Sequence, residues 1–215
     1  MSGSTFRKTE LQSQFAMLRQ PGNCPEGVYV SPSKSLDVWD GVIFVRKGYY
    51  QGGVFRFKIQ FTTSYPIRAP LVTFSKGSLI HPLIDPRDDH LALASGFPEW
   101  DSTKDNVVKL LFYIKNIFKT FHLNKLNDGL VINGEAWRLF QSNRAVFAKL
   151  TSQCATISAT PTILYDQPTN STNSTRDLAN PSSSKGENQD NAFAFRQLSE
   201  EEMNAIRQAL FEEDP

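Results

Sequence analysis

His81-Pro82-Leu83-Ile84-Asp85 is the stretch that decides how this chain folds. It lies inside a long irregular segment, Ser75 to Thr103, and a structureless loop of that length within a compact domain is normally functional. Upstream, Tyr50-Gln51-Gly52-Gly53-Val54-Phe55 opens a strand in which Phe55, Phe57, Ile59 and Phe61 alternate onto one face. Ser64-Tyr65-Pro66-Ile67-Arg68-Ala69-Pro70 follows, then the strand Leu71-Val72-Thr73-Phe74. Downstream stands Trp100, ahead of a helix expected over Lys104 to Thr120 with Val107, Leu110, Leu111, Ile114 and Phe118 on one stripe.

Farther out, Thr5 to Gln20 carries Leu11, Phe15 and Leu18 at helical spacing, and Pro21-Gly22 stops it. Strands are expected at Gly27 to Val30, Val38 to Arg46, Val54 to Phe61 and Leu71 to Phe74. Short turns containing Gly or Pro join them, as in an antiparallel meander. The second is apolar almost throughout, which suits a central strand. Glu135 to Ala148 or beyond supplies Trp137, Leu139, Phe140, Val146 and Phe147 as two packed helices. The fold class is therefore α+β: an N-terminal helix, a four-stranded antiparallel meander and C-terminal helices. This domain is expected over residues 1–159. Residues 160–197 are rich in Asn, Ser, Thr and Pro, bury too little to offset their ordering entropy, and are expected to be a disordered linker. Residues 198–213 should form a short acidic amphipathic helix. Ser199 and Glu202 make a capping-box pattern, and Met203, Ile206 and Leu210 make a narrow apolar stripe. So short a helix does not hold alone in water.

Phenylalanine is frequent, 16 of 215 residues, and concentrated before residue 150, as aromatic core packing requires. The formal net charge of +1 argues against a broad basic face, so no nucleic-acid partner is expected. No run approaches the roughly 18 apolar residues that span a bilayer, so no direct membrane insertion is expected. The first ten residues lack an apolar leader core, so the two cysteines, Cys24 and Cys154, are expected to be reduced cytosolic thiols. No phosphate-binding glycine loop, serine elbow or zinc-ligand spacing occurs, so neither cofactor nor metal is expected.

Taken in order, Tyr50-Gln51-Gly52-Gly53, Tyr65-Pro66, Pro70, His81-Pro82 and Trp100 resemble the ubiquitin-conjugating (UBC-like) fold over roughly Phe6 to Gln153. In that family an Asn follows His-Pro, and the nucleophilic Cys lies ten residues beyond the His. Here those positions hold Leu83 and Leu91. Within the superfamily the chain looks like the Fused Toes (AKT-interacting protein) group of inactive variants. It is similar to them in Pro25-Glu26-Gly27-Val28-Tyr29-Val30, Trp39, Gly41-Val42-Ile43-Phe44-Val45-Arg46, His81-Pro82-Leu83-Ile84-Asp85-Pro86 and Leu164-Tyr165-Asp166-Gln167-Pro168. The resemblance implies a non-catalytic scaffold acting with a Hook-like coiled-coil adaptor and an FHIP-like subunit. Such a complex links early endosomal cargo to dynein, which would make the chain cytoplasmic and peripheral on vesicles.

Transfer from a thioester needs an exposed thiolate and a donor placed where the oxyanion develops. Leu91 has no lone pair, and the Leu83 side chain donates nothing. No catalytic residue is therefore expected, and Leu91, Leu83 and His81 form a degenerate site. His81 is expected to hold the flap by hydrogen bonds, while Asp85, Asp88, Asp89 and His90 form a solvated turn. The candidate interface is the apolar cluster Leu83, Ile84, Leu91, Leu93, Phe97 and Trp100. Against it stands the simpler reading that Leu91 and Leu93 merely fill the former groove. Met203, Ile206 and Leu210 are a second candidate surface. The competing function is a ubiquitin-binding variant that partners an active conjugating enzyme or sorts ubiquitinated cargo. A third, an unrelated enzyme using Asp88, Asp89 and His90, is weaker.

Overall fold

In the computed structural model, residues 3–77, 79–165, 193 and 195–211 are described. Four strands, β1 (Val28–Pro32), β2 (Val38–Phe44), β3 (Val54–Gln60) and β4 (Leu71–Phe74), pair antiparallel in the order β1-β2-β3-β4. This is the expected meander. Register places Trp39 opposite Ile59, Gly41 opposite Phe57, and Phe57 opposite Phe74, so one face carries the aromatic alternation. Gly41 is required there: a Cβ would stand 2.3 Å from the Phe57 ring. As its nearly unbroken apolar run implies, β2 is buried on both faces from Trp39 to Ile43.

The helix α1 (Gly3–Met17) precedes the sheet and ends three residues before the expected Gln20. Its last turn tightens: Leu18, Arg19 and Gln20 donate to carbonyls three residues back, and the chain leaves at Pro21. Across the inner face lies α2 (Val107–Asn116), shorter than the expected 104–120. Asn106 caps it by accepting from the Lys109 N–H at 3.0 Å, while residues 101–105 are occupied by a turn around Asp101. All five expected stripe residues are nonetheless buried, because the chain continues through the buried Ile117-Phe118 turn into α3 (Thr120–Leu123). The Phe118 ring stacks on Phe55 at 5.5 Å.

Two further helices, α4 (Gly134–Ser142) and α5 (Arg144–Ser158), close the core, each capped by an Asn side chain. Ordered chain continues past 159 into α6 (Pro161–Leu164), where Arg56 of β3 donates to the Leu164 carbonyl at 2.9 Å. The expected linker thus begins within packed structure, and its bulk, residues 166–192 and 194, lies outside the described residues. Last comes α7 (Glu200–Phe211), whose capping box is formed: Ser199 Oγ accepts from Glu202 N–H at 3.2 Å, and Glu202 Oε2 from Ser199 N–H at 2.9 Å.

One buried side chain ties α1 to the rest. Gln14 Oε1 accepts from both the Tyr65 hydroxyl and the Val107 N–H at the start of α2, and Gln14 Nε2 donates to Glu10. Replacing Gln14 by Leu strands a buried hydroxyl and a buried amide. We expect Gln14→Leu to cost about 2–3 kcal/mol in urea denaturation, and Gln14→Leu/Tyr65→Phe to cost less than the sum of the single changes.

Candidate functional site

The flap leaves β4 and returns across its end. His81 is fully buried, and both its ring nitrogens are used: Nδ1 accepts from the Leu83 N–H at 3.0 Å, so Nε2 carries the proton and donates to the Ile117 carbonyl at 3.0 Å. Burial pushes its pKa down from 6.5 to about 4, against the raising influence of the Ile117 bond. Tyr50 packs on it at 5.5 Å and donates to the Ile80 carbonyl at 2.8 Å, while Phe118 covers another side at 5.9 Å. The Tyr50 role was not anticipated, although its place directly before Gln51-Gly52-Gly53 is the signal that carried it.

Leu91, at the position the sequence reading assigns to the nucleophile, is 0% exposed. It bridges Ile84, and its N–H donates to the Val72 carbonyl at 2.8 Å. Ala92 donates to the Leu83 carbonyl and Asp85 to that of His90, so residues 83–85 and 90–92 form a short antiparallel clasp. Leu83 and Ile84 are also buried, at 0% and 1%. This corrects the expected interface. An apolar side chain in this loop gains more from packing on the Val72–Phe74 strand than from facing water, so Leu83, Ile84 and Leu91 are core.

At the clasp's tip Asp85 is buried and accepts from Arg87 three times, twice through the guanidinium at 2.9 and 2.6 Å and once through the backbone. These bonds hold its carboxyl down at about 2. Asp89 adopts a left-handed φ of 59° and accepts from the Gly77 N–H. Asp88 accepts from the His90 N–H, an ordinary turn bond. Among the described residues no group of three or more His, Cys, Asp or Glu side chains is arranged to hold a metal.

Leu93, Phe97 and Trp100 behave differently from the other three. They are half-buried against the core edge, with Phe97 against Trp100 at 5.3 Å and against Tyr113 at 5.5 Å. Trp100 Nε1 donates to the Pro66 carbonyl at 2.8 Å, bringing the neighbouring Ile67, 77% exposed, into the same region. Tyr113 donates to the Ala92 carbonyl at 2.6 Å and meets Ser95, which in turn contacts His122 Nε2 at 3.3 Å. Met203 and Ile206 are exposed on α7, at 41% and 46%, and the Leu210 side chain lies outside the described residues.

A meander crossed by a helix, with a clasped loop held by a His-Pro turn, defines the architecture of the ubiquitin-conjugating fold. The family described as "Ubiquitin-conjugating enzyme" matches residues 10–155, and the chain belongs to that family, as a variant of its AKT-interacting protein group. It is 36% identical over 145 residues to a crossbronx homologue from Anopheles gambiae, covering 66% of this chain and 62% of that protein. It is 30% identical over 154 residues to an AKTIP homologue from Nematostella vectensis, 71% and 49% of the two chains. With the AKT-interacting protein of Homo sapiens it shares 32% over 145 residues, 66% and 47%. The chain thus spans about half to three-fifths of the length of these curated relatives. A solved "Novel Ubiquitin-Conjugating Enzyme" shares the fold at a TM-score of 0.54 and 21% identity, over 67% of this chain and 92% of that one.

Because position 91 is enclosed, a thiol placed there should be silent. In a Cys24→Ser/Cys154→Ser background we expect Leu91→Cys to react with a soluble disulfide reagent about a hundredfold or more slowly than Ala94→Cys at an exposed position. Ubiquitin thioester should not form on it. Comparable rates for the two thiols would show position 91 to be open. The His81 geometry sets a pH signature. Its folded pKa lies below the ordinary value, so the stabilisation is fully present above pH 6.5 and is lost as pH falls toward about 4. Denaturation midpoints across that window should show a loss of up to about 3 kcal/mol that His81→Gln no longer shows, beyond its overall destabilisation.

Proposed function

We propose that this chain is a non-catalytic scaffold or adaptor subunit that keeps the ubiquitin-conjugating fold and uses its surface to hold protein partners. The finer form of the proposal is a complex of the Fused Toes–Hook–FHIP type, linking early endosomal cargo to dynein. One observation carries the non-catalytic reading: Leu91, at the place the sequence resemblance assigns to the family's thiol, is a fully buried hydrocarbon pinned by backbone bonds. No lone pair and no solvent access remain there for transfer chemistry. The similarity to AKT-interacting proteins supports a role in binding proteins. The exposed Ile67 beside half-buried Trp100 and Phe97 supplies an apolar rim suited to it.

Two measurements test this. Incubation with activating enzyme, ATP and ubiquitin should yield no thioester, and a labile ubiquitin adduct would defeat the non-catalytic reading. Affinity purification of the tagged chain from its own cells in mild salt should recover a coiled-coil adaptor and a large helical subunit in stoichiometric amount. Recovery of an active conjugating enzyme or ubiquitin conjugates instead would favour the ubiquitin-binding variant. Ile67→Asp should leave stability within about 0.5 kcal/mol, since the side chain is exposed, yet cut partner recovery tenfold or more.

A further inference from the structure

The sheet has a second face, which helix α2 does not cover. Register puts Tyr29, Val42 and Arg56 side by side on it, followed by Phe44 and Val54. An uncovered antiparallel sheet face is ordinarily polar and wet. Here Val42 is 1% exposed, and the Tyr29 and Phe44 rings meet edge to face at 5.9 Å. Part of the cover comes from far along the chain. Phe195 contacts the Phe44 ring at 6.4 Å, and the Arg56 guanidinium lies over the Phe195 ring at 4.9 Å from its centroid. The same guanidinium donates to the Leu164 carbonyl, which fixes it over the ring. Phe193, two residues earlier in sequence, is also half-buried.

The segment that brings Phe195 here is internally braced. Arg196 grips Glu202 with two bonds, at 2.8 and 2.6 Å, and Glu202 closes the capping box at the start of α7. Phe195 is thereby coupled to a helix that otherwise exposes Met203 and Ile206. Beside the Phe195 seat an open groove of about 480 Å3 is lined by Tyr29, Phe44, Arg46 and Val54. Seat and groove share Phe44. They form one aromatic surface of which the tail covers part.

We propose that the outer face of the sheet, centred on Tyr29, Phe44, Val54 and Arg56, is a docking surface for a chain segment that presents an aromatic side chain between Phe44 and Arg56. In this chain its occupant is the chain's own segment 195–211, seated by Phe195. Cation–π and edge-to-face contacts recognise the aromatic rings, and neither requires a unique backbone. The contact is small, so the tail holds its seat through the high effective concentration of an attached segment. A partner of the same chemistry reaches the face only by displacing it. This inference concerns a different face from the apolar rim and does not depend on the scaffold reading.

Amide spectra of the full chain, isotopically labelled, test it. Phe195→Ala should shift signals of residues 42–46 and 54–56 and leave the clasp at 83–92 in place. An unlabelled peptide of residues 193–211, added to the Phe195→Ala chain at millimolar concentration, should return those signals saturably toward their wild-type positions. The unsubstituted chain should need at least tenfold more peptide for the same occupancy. Outer-face signals indifferent to Phe195→Ala would overturn the seat. Signals that shift but do not respond to the peptide would overturn the docking surface.

Discussion

The neutral ring of His81 is the constraint on which the flap depends. A buried imidazole with one donor and one acceptor nitrogen satisfies two backbone groups at once, the Leu83 N–H on one side and the Ile117 carbonyl on the other. Those groups belong to the flap and to the end of α2, so one side chain sets the distance between them. Tyr50 and Phe118 hold the ring in place from the sheet side and the helix side. Every later feature of the loop follows. Leu83 is positioned to accept from Ala92, which draws residues 90–92 against 83–85, which in turn lays Leu91 onto Val72.

The clasp is filled with hydrocarbon and held by backbone bonds. A catalytic cysteine must face solvent and its substrate, whereas Leu91 is driven inward by the apolar area it can bury. Leu83, equally enclosed, follows the same logic. Below them, the Asp85–Arg87 fork and the left-handed Asp89 close the turn with bonds that need no ligand. The carboxylates of Asp85, Asp88 and Asp89 and the His90 backbone are thus engaged in turn bonds. The half-buried aromatic edge at Phe97 and Trp100 is the part of the neighbourhood on which the proposed protein contact rests.

Much of this was legible in the residues. Period-two alternation in β3 placed Phe55, Phe57 and Ile59 on the inner face, and the stripe from Val107 to Phe118 placed a helix across them. The same periodicity overran α2 at both ends, since Asn106 begins the helix through its side chain and Ile117-Phe118 stay buried after the helix has ended. Pattern reports which residues are buried more faithfully than where a hydrogen-bond ladder stops. At the flap, composition could not separate an apolar cluster that faces a partner from one that faces the core. Leu83 and Leu91 differ from Leu93 only in which strand lies beneath them, and that is a matter of long-range pairing.

The outer face of the sheet carries the same lesson with opposite sign. β2 reads as a central strand because it is apolar on both sides, and Val42 is indeed sealed. A central strand needs two covers, and the meander with its crossing helix supplies only one. The second had to come from elsewhere in the chain, and Phe195 and Leu164 both reach Arg56 on that face. No local pattern connects residues 42 and 195, yet the demand for a second cover is visible in β2 alone: a strand apolar but for Asp40, in an antiparallel sheet, requires something on each side. The tail that looks dispensable by composition thus contains, in one aromatic side chain, part of what the central strand lacks.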